Sequence, residues 1–183
     1  MHDVYGNTDT ASQRKGDWLQ VYSGRQFWPL DARPEEVDIV DIAHSLSLQC
    51  RYGGHVKTFY SVAEHCLHVS ANVPEEFALV ALLHDASEAY LVDLPRPVKS
   101  QIPQYKAIEK ALEAVIAKAF GLQFPWPAEV MDIDNRILLD ERAQLMSVAP
   151  IPWGVDGLEP VGVTVLGMSP KEAAFQLGLL GLF

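Results

Sequence analysis

His84 and Asp85 stand side by side after the apolar run Val80-Ala81-Leu82-Leu83, so two polar side chains arise where their helix should be buried. A buried carboxylate without partners is costly, and Asp85 therefore needs a cation or strong donors nearby. Upstream, His65 falls on one expected helix; downstream, Asp134 falls on another. Two imidazoles and two carboxylates converging from three helices would make a divalent-metal site with mixed nitrogen and oxygen ligands. A metal so placed activates water against a phosphate ester. The expected chemistry is metal-dependent phosphoester hydrolysis.

Further residues fit around that centre. Glu88 lies four positions after His84, on the same helical face, where it can orient or deprotonate the attacking water. Asp93 precedes Pro95 and can reach a sugar hydroxyl, or cap a loop. Arg51 and Lys99 are candidate phosphate clamps, one offering bidentate donors and the other a point charge, with Arg96 in competition. Each has an ordinary alternative: an inert core histidine for His65, a solvated helix face for Glu88, exposed surface charge for the three cations. Their combination is what points to a site. His44, His55 and His68 receive no role.

These residues need helices to position them. Asp41 is expected to cap a helix carrying Ile42, Leu46 and Cys50, ended by Gly53-Gly54. Ser61-Val62-Ala63-Glu64 reads as a capping box opening a helix with the stripe Val62, Cys66, Val69 and Val73. The next helix is expected from Pro74-Glu75-Glu76 to about Tyr90, after which Pro95 and Pro97 should exclude helix. Tyr105 through Ala119 is amphipathic and closed by Gly121; another helix spans Pro127 to Met146, with Val130, Asp134, Leu138, Glu141 and Leu145 near one face. Residues 147–168 read as loop, and a second capping box, Ser169-Pro170-Lys171-Glu172, opens a last helix running almost to Phe183. The fold class is all-α. Residues 1–16 are expected to be a flexible tail and 17–183 a single domain, with an irregular aromatic segment over 17–33.

The chain has 183 residues, 49% of them hydrophobic, enough for one domain with its own core. A net charge of −10 disfavours a nucleic-acid duplex as partner, but a small phosphate held by a metal and a few cations is compatible with it. No apolar stretch approaches a membrane span and the start lacks the order of a secretory signal, so a cytoplasmic location is expected. Cys50 and Cys66 form no zinc spacing and read as buried thiols. The apolar end Leu179-Leu180-Gly181-Leu182-Phe183 and the segment around Trp28 suggest subunit contacts, hence a homo-oligomer, or ordinary packing.

The set His65, His84-Asp85 and Asp134 resembles the signature of HD-domain phosphohydrolases, whose fold is a helical bundle. The likeness is closer to the small 5′-deoxynucleotidases, with phage dATP triphosphohydrolases as relatives of the same branch. Arg51 ahead of Ala63-Glu64-His65, the run His84-Asp85-Ala86-Ser87-Glu88, and Asp93-Leu94-Pro95-Arg96-Pro97-Val98-Lys99 carry it, over roughly residues 41–146. The resemblance implies metal ligation by His65, His84, Asp85 and Asp134. It also implies water activation at Glu88, with Asp85 in the catalytic set, and phosphate binding by Arg51 and Lys99. Deoxyribose recognition would fall to Asp93, with Tyr52 and Pro97 lining the substrate. Among Asp132, Asp134 and Asp140, the second is chosen because Asp134-Asn135-Arg136-Ile137-Leu138 matches the family's Asp-x-Arg-x-Leu pattern.

This chain departs from that branch in two places. Residues 66–83 make a short connection between the two histidines, and Tyr52 stands where those enzymes carry tryptophan beside the arginine. Base preference and the number of phosphates removed stay open. So does the ion: mixed imidazole and carboxylate ligands suit zinc, cobalt, manganese or iron, and a second ion can join a triphosphate. Alternatives are another HD-type reaction on a cyclic nucleotide or alarmone, a nucleotide-sensing module without turnover, and a structural metal protein.

Overall fold

Ile39, Ile42, Ala43 and Leu46 recur at helical spacing and are all buried, which makes α1 (Ile39–Leu48) one wall of the core. The computed structural model describes residues 14–181. Within them α1 is followed by α2 (Val62–Ala71), α3 (Ala78–Leu82), α4 (Glu88–Leu91), α5 (Arg96–Lys99), α6 (Pro103–Ala119), α7 (Ala128–Leu145) and α8 (Pro170–Leu180). The fold is all-α, with one small antiparallel hairpin, β1 (Leu19–Gln20) and β2 (Gln26–Phe27), ahead of the helices. α1 packs most extensively against α8 and also meets α2 and α4. Ala173 and Leu177 of α8 are fully buried in the same cluster as Ile42, Leu46, Val62 and Cys66. A smaller cluster around Val69, Val80, Val130 and Ile137 joins α2, α3 and α7.

Several local expectations are corrected. Asp38, not Asp41, caps α1 by accepting from the Val40 amide. Asp41 is buried in the first turn, where it accepts from Ser23 N (2.6 Å), Ser23 Oγ (3.0 Å) and Arg25 (3.1 Å), tying the hairpin onto α1. Cys50 lies beyond the helix and pairs with Ser61 in an isolated bridge. Only half of the capping box at α2 forms: Ser61 Oγ accepts from Glu64 N, but the Glu64 carboxylate accepts instead from the amides of Leu166, Gly167 and Met168 (2.7–2.9 Å).

The helix expected from Pro74 to Tyr90 is broken into a 3₁₀ turn at Glu75–Phe77, then α3, a run of turns over 83–87, and α4. His84 Nδ1 reaches back to the Ala81 carbonyl at 2.7 Å, a side-chain bond at the point where α3 ends. Pro95 and Pro97 do not exclude helix. They occupy the cap and first turn of α5, where no intrahelical donor is needed. The capping box at α8 is complete.

The expected tail lies outside the described residues up to residue 13. Arg14 is already packed, over the Trp28 ring at 4.3 Å and paired with Asp31 and Glu36. The last two residues of the apolar end also lie outside. No helix among the described residues is long and apolar enough to cross a membrane.

Candidate metal centre

α2, the turn after α3, and α7 bring His65, His84-Asp85 and Asp134 together. Asp134 Oδ1 lies 3.2 Å from His65 Nε2 and 3.7 Å from His84 Nε2. Asp85 Oδ2 lies 3.6 Å and 3.3 Å from the same two atoms. Ligands about 2.1 Å from one ion at tetrahedral or octahedral angles stand about 3.0–3.4 Å apart, close to this spacing. Of the three aspartates weighed from sequence, Asp134 alone joins the cluster. Asp132 pairs with Arg136, and Asp140 accepts from the amides of Val161 and Gly162.

Both imidazoles turn the same atom inward. His84 Nδ1 bonds the Ala81 carbonyl and His65 Nδ1 bonds Glu141 Oε1 at 2.6 Å, so in each ring Nδ1–H donates and the neutral form presents its Nε2 lone pair. Both Nε2 atoms are buried and without a hydrogen-bond partner. Two orphaned acceptors facing two carboxylates fit a cation. Electrostatics agree. Burial disfavours charge on His84, yet Asp85 and Asp134 together raise its pKa well above the ordinary value. Against its own burial, Asp134 is held well below the usual carboxylate range by the two histidine rings that face it. The cluster demands positive charge, and it can hold a metal ion. Cys66 also comes within reach of His84 and Asp85. Burial pushes its thiol up, away from the thiolate a metal needs, so imidazole and carboxylate are the better donors.

Glu88 opens α4 and is buried, with Oε2 unpartnered. Burial, with Asp85 and Asp93 adding to it, pushes its pKa well up. Lys99 Nζ stands 3.9 Å from Glu88 but bonds Glu109 at 2.5 Å, so the candidate clamp is held from α6. Val92 adopts φ +72°, a conformation unfavourable for a β-branched residue, and through it the chain turns into Asp93. The Asp93 amide donates to Gln49 Oε1 (3.2 Å), and Gln49 Nε2 donates to the Glu88 carbonyl (2.9 Å). Pro97 is exposed in the first turn of α5.

Arg51 is buried, with Nη1 3.5 Å from Asp85 and Nε 3.4 Å from Glu141. Tyr52, at φ +58°, donates its hydroxyl to Glu141. Glu141 therefore sits behind both the arginine and His65, a role that sequence reasoning missed. The available signal was a carboxylate seven residues after Asp134 on the same apolar face. The unassigned histidines lie apart from the cluster: His44 stacks on Tyr22, His68 faces Glu64 at 3.5 Å, and His55 is exposed.

This chain is 41% identical to YfdR of Escherichia coli K12, an uncharacterized protein, over 163 residues that cover 87% of this chain and 92% of YfdR. The chain belongs to the YfdR family. Other relatives share parts of this YfdR-family chain. An uncharacterized Rhodobacter capsulatus protein is 37% identical over 126 residues, covering 63% of this chain and 64% of its own length. The 5′-deoxynucleotidase YfbR of E. coli O1:K1 is 33% identical over 140 residues, 67% of this chain and 59% of YfbR. The chain thus spans less than two thirds of those two relatives. No protein-family model matches it.

Proposed function

We propose that this protein is a metal-dependent phosphohydrolase of the HD type that acts on deoxynucleotides. The observation that carries the proposal is the inward pair of partnerless Nε2 atoms flanked by two carboxylates. The similarity to a 5′-deoxynucleotidase supports the substrate class. His65, His84, Asp85 and Asp134 would hold the ion. A divalent cation there supplies a Lewis acid that lowers the pKa of water and offsets charge developing at phosphorus.

The chain's own residues do the rest. Glu88, buried and with a free oxygen, aligns the nucleophilic water and takes its proton. Arg51 turns a guanidinium edge toward Asp85 and so toward a phosphate at the centre. Lys99 reaches the same phosphate by leaving Glu109, and Asp93 accepts from a sugar hydroxyl. Tyr52 and Pro97 border the nucleoside. The substrate is a free nucleotide and not a duplex, in keeping with the net charge of −10. Zinc, cobalt and manganese suit the ligands.

A product-resolved hydrolysis panel of deoxynucleoside mono- and triphosphates, run with cobalt, manganese or chelator, tests the reading. Orthophosphate from monophosphates identifies a 5′-deoxynucleotidase; nucleoside with intact triphosphate identifies a triphosphohydrolase. No turnover with any ion would sink it.

A further inference from the structure

Glu141 lies on α7 two turns beyond Asp134, and its side chain is fully buried. A carboxylate in such a place needs a complete set of donors. Three hydrogen bonds and one ion pair converge on it. Tyr60 Oη donates to Oε1 at 2.8 Å, His65 Nδ1 meets the same oxygen at 2.6 Å, and Tyr52 Oη donates to Oε2, with Arg51 Nε 3.4 Å away. These donors come from two functionally different places. His65 faces the Asp85–Asp134 cluster through its other nitrogen, while Arg51 and Tyr52 form a turn in which Tyr52 is left-handed. A tyrosine pays for that backbone conformation, and the bond from its own hydroxyl holds it there.

We propose that Glu141 is a positioning residue that sets the metal face and the phosphate arm together. By accepting Nδ1–H it fixes His65 in the form whose Nε2 lone pair points at the cluster. By accepting from Tyr52 and facing Arg51 it holds the turn that aims the guanidinium at Asp85. The proposal rests on the metal-centre reading above. It predicts more than a satisfied core carboxylate would: loss of Glu141 must change the metal environment, whereas loss of Tyr60 Oη must not, since that hydroxyl makes its hydrogen bond to Glu141 and to neither His65 nor Arg51.

Cobalt(II) binding to the full chain, followed by calorimetry and by its visible spectrum, separates the two. Glu141→Gln should weaken cobalt binding by about 10–100-fold and shift the spectrum, while Tyr60→Phe keeps both near wild type. Wild-type affinity and spectrum in Glu141→Gln would overturn the proposal. Equal losses in the two variants would overturn it as well, by making the role merely structural. If the wild-type chain takes up no cobalt, the proposed function itself fails, and a metal-independent measurement then decides Glu141. Nitrogen-15 spectra of the wild-type imidazoles, which require no variant to fold, should show the neutral His65 ring protonated at Nδ1. A proton on Nε2 would overturn the proposal.

Discussion

At the scale of single residues, the division of labour between His84 and Glu88 gives two variants with opposite signatures. His84 contributes an Nε2 atom with no other partner, so His84→Ala should lose metal and activity together while the fold persists. Glu88 touches the cluster only through its surroundings, and Glu88→Gln should keep metal while slowing hydrolysis by about 10²–10⁴-fold. Metal analysis beside initial rates checks both; a metal-free Glu88→Gln protein would make Glu88 a ligand. His84-Asp85 was legible because polar side chains after an apolar run are informative, whereas Asp134 is picked from three aspartates by the resemblance of Asp134-Asn135-Arg136-Ile137-Leu138 to a family pattern and by its helical face. Glu141 was not legible, since its partners Tyr52, Tyr60 and His65 lie 76–89 residues away and no local pattern announces them.

The elements divide in the same way. α6, α7 and α8 follow their apolar periodicity, and α8 also its capping box, which are local properties. The break between α3 and α4 depends on a bond from the His84 ring to the Ala81 carbonyl, and the first turn of α2 is completed by a segment a hundred residues later. α6 carries a pH-dependent consequence. Glu113 is half-buried, and burial, reinforced by Glu109 and Asp85, pushes its carboxyl up to about 7 from 4.5. The folded chain thus binds a proton that the unfolded chain releases near pH 4.5. The stability this gives is fully present below pH 4.5 and lost as pH rises to about 7. Glu113→Gln should match wild type at pH 4 and exceed it at pH 8 by about 1–2 kcal/mol, discounted for the water that reaches this side chain. Thermal unfolding across that range checks it, and a pH-independent difference would show that Glu113 stays ionised.

At the scale of the whole molecule, the segment after α7 is what the sequence left as plain loop, because its bonds are made to distant helices and not within itself. Its backbone amides are taken by Asp140, Gln144 and Glu64, so it is strapped along α7 and α2 before α8 begins. Arg142 pairs with Asp156 at 2.5 Å and lies 5.0 Å from the Trp153 ring, which brings that tryptophan 6.1 Å from Tyr52. A chain with tyrosine beside its arginine therefore gains a second aromatic from a remote segment. If the nucleoside lies along Tyr52, as the proposed function requires, Trp153 offers its base a stacking face worth about 1 kcal/mol at such a half-exposed site. Trp153→Ala should then raise KM for a deoxynucleotide by about fivefold with kcat little changed, while KM for an aryl phosphate lacking a base stays put. A parallel rise for both substrates would mean that Trp153 braces Arg142 and the strap rather than the base.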